Sequence, residues 1–202
     1  MGEDVLVHVI DDDEAMRDSL EFLIASDGLT ARSYASAASF LASEQIGNGC
    51  VVTDVRMPEM SGIELIRAMS ERGICLPVIV VTGHGDVAVA VEAMKAGALD
   101  FLEKPFDDRA LLAAVRAALT SARAKEEIDS EKAVVQERLA LLSARERQVL
   151  DGVVAGRANK VIAVDLGISP RTVEVYRANV MSKMQAAGIS ELVRMMLRAG
   201  GP

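Results

Sequence analysis

A chain of 202 residues, half of them apolar and 26% charged, carries a formal net charge of −8 at pH 7 and no tryptophan. This is an ordinary globular balance, long enough for one large domain or two small ones with cores of Val, Ile, Leu, Ala and Met. No apolar run approaches the roughly 20 residues needed to cross a bilayer, and MGEDVLVHVIDDDE lacks secretory-signal character, so a cytoplasmic protein without membrane contact is expected.

Over residues 1–122, short apolar runs alternate with longer amphipathic stretches. Val5–Ile10 predicts a first strand, followed by a helix at about Glu14–Ser26. Thr30–Tyr34 predicts a second strand and Ala35–Ser43 a helix. A third strand at Cys50–Thr53 precedes a helix at Ser61–Arg72, and a fourth at Val78–Thr82 precedes one at Asp86–Ala96. The fifth strand, Asp100–Leu102, leads into a helix from Asp107 onward. The first, third and fourth runs are nearly continuous in β-branched residues, as strands covered on both faces are. Five such alternations imply an α/β domain with a five-stranded, doubly wound parallel sheet. In that architecture the ligand crevice lies at the carboxyl ends of the strands.

The fifth helix keeps an apolar stripe at Leu112, Val115, Leu119 and Ala122, then meets RAKEEIDSEKAVVQER (123–138). This charged segment has no Pro or Gly and predicts a continuing exposed helix or a frayed helical linker rather than a loose tether. Residues 139–202 follow as an all-α domain with helices at about Ala144–Ala155, Asn159–Leu166, Pro170–Met184 and Ser190–Ala199. The breaks fall at Gly156, Gly167-Ile168-Ser169 and Gly188. Charge follows the same division. Residues 1–122 hold 20 acidic and 9 basic side chains, residues 139–202 hold 5 and 9. An acidic front and a basic tail suggest different partners for the two ends. Cys50 and Cys75, far apart and without metal-ligand spacing, read as buried thiols in a reducing compartment.

Chemistry-bearing residues gather at the predicted strand ends. The first strand runs into Asp11, Asp12 and Asp13, the third into Asp54, the fourth ends in Thr82, and Lys104-Pro105 follows the fifth. Carboxylates packed into one crevice repel one another, and a bound hard cation relieves that repulsion. Mg²⁺ suits a site with one or two carboxylates, waters and a phosphate. Lys104 would supply a point charge and Thr82 a hydroxyl donor for a phosphoryl oxygen.

IDDDE (10–14), TDVRMPEMSG (53–62), VTGHGD (81–86) and FLEKPF (101–106) resemble, in order and spacing, the motifs of bacterial response-regulator receiver domains. The resemblance covers the whole front half. It implies that Asp54 is the phosphoacceptor, taking its phosphate from a phosphohistidine on a sensor histidine kinase. It further implies Mg²⁺ (or Mn²⁺) held by Asp12 directly, Asp11 through water, Asp54, and the backbone carbonyl of Arg56, with Asp13 peripheral. Thr82 and Lys104 would bind phosphoryl oxygens. Phe101, three residues before Lys104, stands where the family has its switch aromatic; lacking a hydroxyl, it can hold an inward state by packing alone. His84 and its flanking glycines read as loop-shaping.

In the tail, Leu166-Gly167-Ile168-Ser169 is the short Gly-containing break of a helix-turn-helix, with Ser169 as N-cap and Pro170 in the first turn. Stepping about 100° per residue puts Val173, Val180 and Met184 on an inner face and Arg171, Glu174, Val175, Ala178 and Ser182 on the outer one. LSARERQVL (142–150), AGRANKVIA (155–163) and LGISPRTVEVYRANVMSKM (166–184) resemble the output domain of the LuxR/NarL class of two-component regulators. With TGHGDV and EAMKAGALDFLEKPF upstream, the chain is similar along nearly its full length to the nitrogen-fixation, FixJ-type branch of that class.

This resemblance implies double-stranded promoter DNA as the ligand and homodimerisation on phosphorylation, through the face made by the fourth helix, fifth strand and fifth helix. It also implies transcriptional control as an activator, a kinase of the FixL type, and RNA polymerase as a further partner. The base-reading positions map onto Glu174, Val175 and Ala178, with Asn179 at their edge. Lys160, Arg171, Thr172, Arg177 and Lys183 are the phosphate-contact candidates. The chain's own phosphotransfer and dephosphorylation are the only catalysis expected. A phosphatase with an aspartyl-phosphate intermediate fits poorly, because the nucleophile follows the third strand and no general acid or cap insertion is evident. An adaptor whose tail binds protein or RNA is the remaining alternative.

Overall fold

The computed structural model describes residues 5–44, 46–83 and 87–200, so the loop position His84 lies outside the described residues. The chain divides into two compact units, residues 1–125 and 126–202. No described helix is long and apolar enough to cross a membrane.

The first unit holds β1 (Leu6–Ile10), α1 (Glu14–Ser26), β2 (Thr30–Tyr34), α2 (Ala37–Leu41) and β3 (Gly49–Asp54). It continues with α3 (Gly62–Glu71), β4 (Val78–Thr82), α4 (Val87–Ala96), β5 (Asp100–Glu103) and the first part of α5 (Asp108–Ala140). All pairings are parallel, in the order β2-β1-β3-β4-β5. Strand order reverses between β1 and β3, and their carboxyl ends therefore flank a crevice. Alternation along each strand feeds two cores. Val7, Val9, Cys50, Val52, Ile79 and Val81 pack against α1 and α5, whereas Ile10, Val51, Val78 and Val80 pack against α2, α3 and α4.

Local signals account for the helix boundaries. Ser61 opens α3 with a reciprocal capping box to Glu64, and Ser143 does the same with Glu146 for α6. The predicted helix 35–43 shortens to Ala37–Leu41 because Ser36 and Ser39 bond each other as its capping box. Glu64, tied to the backbone and then the hydroxyl of Ser61, has its pKa lowered.

One expectation needs correction. Cys50 is buried as expected, and burial pushes its thiol pKa up to about 12, but Cys75 is exposed on the approach to β4. The segment 123–138 is helical and largely exposed, as expected, with Val135 its one buried residue. α5 runs unbroken from Asp108 to Ala140, and Val135 and Leu139 are buried in the core of the second unit. Apolar residues at 135 and 139 recur at i, i+4 and give one face something to bury.

The second unit comprises that last part of α5 with α6 (Ala144–Val154), α7 (Asn159–Leu166), α8 (Pro170–Met184) and α9 (Ile189–Arg198). Gly167 takes φ +65 to end α7, and the Ser169 hydroxyl then accepts from Thr172 N–H to start α8. Val173, Val180 and Met184 of α8 are buried with Val149, Leu150, Ile162, Leu192 and Met196.

Candidate functional site: an acidic crevice and an exposed helix face

In the first unit, parallel pairing brings Ile10 into register with Thr53, so the residues that follow, Asp11 and Asp54, emerge side by side. Both are nearly buried, at 3% and 9% exposure. Lys104 reaches into the crevice from beyond β5, its Nζ 2.9 Å from Asp11 Oδ2 and 2.9 Å from Asp54 Oδ1. Burial opposes the charge on this ammonium, but hydrogen bonds and attraction from the two carboxylates outweigh it and raise its pKa. The backbone holds the carboxylates in place. Asp11 Oδ1 accepts from Asp13 N–H at 2.9 Å, and Asp54 Oδ2 accepts from Arg56 N–H at 2.5 Å.

The remaining predicted residues fall around this centre. Thr82 ends β4 and is buried; the Lys104 N–H donates to its carbonyl at 2.8 Å. Phe101 is half-buried against the α2–α3–α4 core and pairs in register with Val80, which shares a sheet face with Thr82. Asp12 and Arg56 are exposed at the mouth. Asp13 caps α1, accepting from Ala15 and Met16 N–H, which gives it a structural task. Among the described residues, no group of three or more His, Cys, Asp or Glu is gathered tightly enough to enclose a metal. The donor set nevertheless fits Mg²⁺. Two hard carboxylates converge on one point of positive charge, and Mg²⁺ commonly takes only one or two carboxylates along with waters and phosphate.

Gly62 was legible only as part of a motif. A Cβ there would lie 2.2 Å from the Asp54 carbonyl oxygen, so the start of α3 approaches the end of β3 as only glycine permits. Its N–H donates to Val55 O at 3.0 Å, fixing the segment just after Asp54.

In the second unit, Arg171, Glu174, Val175, Ala178 and Asn179 line an exposed face of α8, and Lys160 is exposed on α7. Three other phosphate-contact candidates are engaged inside the unit. Thr172 bonds Ser169 through both its N–H and its hydroxyl, and Arg177 donates to the Asn159 side chain. Lys183 donates to Glu146 at 2.7 Å and to the Leu141 carbonyl at 3.1 Å. Hydrogen bonds from Lys183 and then from the Ser143 backbone hold Glu146 at a pKa of about 2. Sequence reasoning missed Glu146, although Ser143-Ala144-Arg145-Glu146 carries the capping-box spacing that could have marked it.

Comparison with known proteins agrees with both halves. Residues 7–116 match the response regulator receiver domain family, and residues 140–196 match the bacterial regulatory proteins of the luxR family. The transcriptional regulatory protein FixJ of Azorhizobium caulinodans is 59% identical over 201 residues, covering 99% of this chain and 95% of that protein. FixJ of Rhizobium meliloti is 52% identical, covering 98% of each chain. Among solved structures, the response regulator StyR aligns with a TM-score of 0.85 at 36% identity, covering 97% of this chain and all of that one. Full-length FixJ from B. japonicum aligns with a TM-score of 0.60 at 51% identity, covering 97% of each. Receiver domains of this family generally bind Mg²⁺ at their acidic pocket, and the pairing of receiver and LuxR-type domains implies a histidine kinase and promoter DNA as partners. The chain is a transcriptional response regulator, belonging with the FixJ proteins to the two-component regulators that join a receiver to a LuxR-type DNA-binding domain.

Proposed function

We propose that Asp54 accepts the phosphoryl group and that its modification governs how α8 reaches promoter DNA. The observation that carries this is the shared approach of Lys104 to Asp11 and Asp54, 2.9 Å from each, at the reversal point of the sheet. An Asp54 carboxylate oxygen would attack phosphorus on a kinase phosphohistidine, forming the acyl phosphate as the P–N bond breaks and the imidazole departs. Transfer of this kind depends chiefly on positioning and on neutralising charge at the equatorial oxygens. Lys104 supplies a fixed cation and Thr82 a hydroxyl at the neighbouring strand end. Asp11, Asp12, Asp54 and the Arg56 carbonyl would hold Mg²⁺, which when bound screens the phosphoryl oxygens.

The new phosphate oxygen gives Thr82 an acceptor, and an inward shift of its hydroxyl opens room for Phe101. Dimerisation through α4, β5 and α5 is supported by the exposure of Val87, Val91, Met94 and Leu99. Two tail domains held together gain effective concentration on paired half-sites. On α8, Glu174 suits a cytosine amino group, and Val175 and Ala178 suit thymine methyls. Affinity would come mainly from phosphate neutralisation by Lys160 and Arg171. Similarity to FixJ favours a FixL-type kinase and an activating role in the cytoplasm, with RNA polymerase as a further partner.

The test is incubation with acetyl phosphate and Mg²⁺, read by intact mass under rapid, non-acidic sampling. The chain should gain one phosphoryl group, and Asp54→Asn should gain none. Equal labelling of Asp54→Asn would place the phosphate elsewhere.

A further inference from the structure

The matched LuxR-family segment begins at residue 140, yet the second compact unit begins at 126. The residues between are the last turns of α5, and they are built into the DNA-binding unit. Val135 and Leu139 are 6% and 4% exposed and share a core with Val180 and Met184 of α8. Gln136 donates to the Ala199 carbonyl at the end of α9, and Arg198 pairs with Glu131.

Arg138 makes the sharpest contact. Its Nη1 donates to the Met184 carbonyl at 3.0 Å and its Nη2 to Gln185 Oε1 at 2.9 Å. Met184 is the last residue of α8, and Gln185 ends the helix in the left-handed region at φ +52. A guanidinium at this place satisfies a carbonyl that the helix leaves open and sits at the negative end of the helix dipole. The contact is reciprocated. Lys183, in the last turn of α8, donates to the Leu141 carbonyl just beyond α5 and to Glu146 of α6. Two cations on opposite elements thus lock the C-terminal turn of α8 to the end of α5.

We propose that Arg138 is a positioning residue for DNA recognition: residues 126–140 form a further helix of the DNA-binding unit, and Arg138 fixes the C-terminal end of α8 without touching DNA. The planar fork of an arginine suits the two acceptors, whereas lysine offers a single point donor. This rests on α8 being the helix that reads base edges.

The experiment uses the full phosphorylated chain, with duplexes that the wild-type chain selects from a randomised library and a mixed-sequence duplex as reference. Arg138→Ala should weaken binding to selected duplexes about ten-fold, as expected for loss of a charge-assisted hydrogen bond that sets geometry. Binding to the mixed-sequence duplex should change little, and the slope of affinity against salt should stay as in the wild type. Arg138→Lys should recover part of the loss. Amide exchange at Gln185 and Ala186 should quicken in Arg138→Ala, and Arg123→Ala, a cation earlier in the same helix, should behave as wild type.

Unchanged binding to selected duplexes overturns the proposal. So does a salt slope lower by about one, which marks a direct phosphate contact. Should Arg138→Ala fail to fold, Gln185→Gly removes one acceptor while suiting the positive φ, and a selective loss for chosen duplexes is then required. Glu174→Ala, run alongside, separates two failures. If it alters preference while Arg138→Ala does not, the positioning role is wrong. If neither alters preference, α8 is not the reading helix.

Discussion

Lys104 and Asp54, 50 positions apart in sequence, meet at 2.9 Å at the carboxyl edge of the sheet. The same ammonium lies 2.9 Å from Asp11, so a single side chain keeps two nearly buried carboxylates from repelling each other. Removing it leaves a divalent ion as the remaining counter-charge. Lys104→Ala should therefore bind Mg²⁺ several-fold more tightly in calorimetric titration, yet accept phosphate from acetyl phosphate roughly ten- to a hundred-fold more slowly. Arginine, bulkier and planar, should not restore the rate. A variant with wild-type metal affinity and transfer rate would contradict this account.

The close approach of Gly62 to Asp54 predicts a second effect. In Gly62→Ala the new methyl meets the Asp54 carbonyl oxygen at 2.2 Å, with the Thr53 methyl 3.2 Å away. Backbone on both sides must give, which should lower stability by about 1–3 kcal/mol in urea unfolding. Because the displaced group belongs to Asp54, the proposed phosphoacceptor, the rate of phosphorylation should fall in step.

His8 lies under α2, fully buried, with Nδ1 3.2 Å from the Tyr34 hydroxyl and Nε2 without a hydrogen-bond partner among the described residues. Burial, aided by the nearby charge of Arg32, lowers its pKa from 6.5 to about 4. The folded state therefore favours neutral His8, and the unfolded chain binds more protons between these values. Stability should decline as pH falls through that window, by up to about 1.4 kcal/mol per unit from this residue. His8→Leu should flatten the dependence and, by removing an orphaned polar atom, raise stability near neutrality by about 1 kcal/mol. Chemical unfolding at a series of pH values reads both effects.

On α8, Arg171 and Glu174 are both exposed but predict different consequences. Arg171→Ala should weaken binding to every duplex and reduce the salt slope by about one. Glu174→Ala should leave the slope alone and alter preference at the base it faces. Titrations on altered half-sites that treated the two variants alike would refute the assignment.

Much of this was legible in the sequence because the signals are local. β2, β4, α7 and α8 fall on the residues that their apolar runs and caps predict. Asp11, Asp54 and Lys104 were legible because each ends or directly follows a strand, and a doubly wound sheet gathers such positions at one edge. What escaped depends on neighbours distant in sequence. Gly62 matters because of a carbonyl on β3, and Arg138 because of the end of α8, 46 positions later. Lys183 looked like a free cation until Glu146 stood beside it. Cys75 was taken as buried by residue type, but its place before β4 leaves the thiol in solvent.

That last difference has a practical use. Cys50 is sealed in the sheet with its thiol held near pKa 12, while Cys75 is open to reagents, and the chain has no other cysteine. A maleimide dye or spin label should attach at a single defined position of the native polypeptide. A protein lacking tryptophan fluorescence thereby acquires a built-in attachment point for following its phosphorylation cycle, with no residue altered.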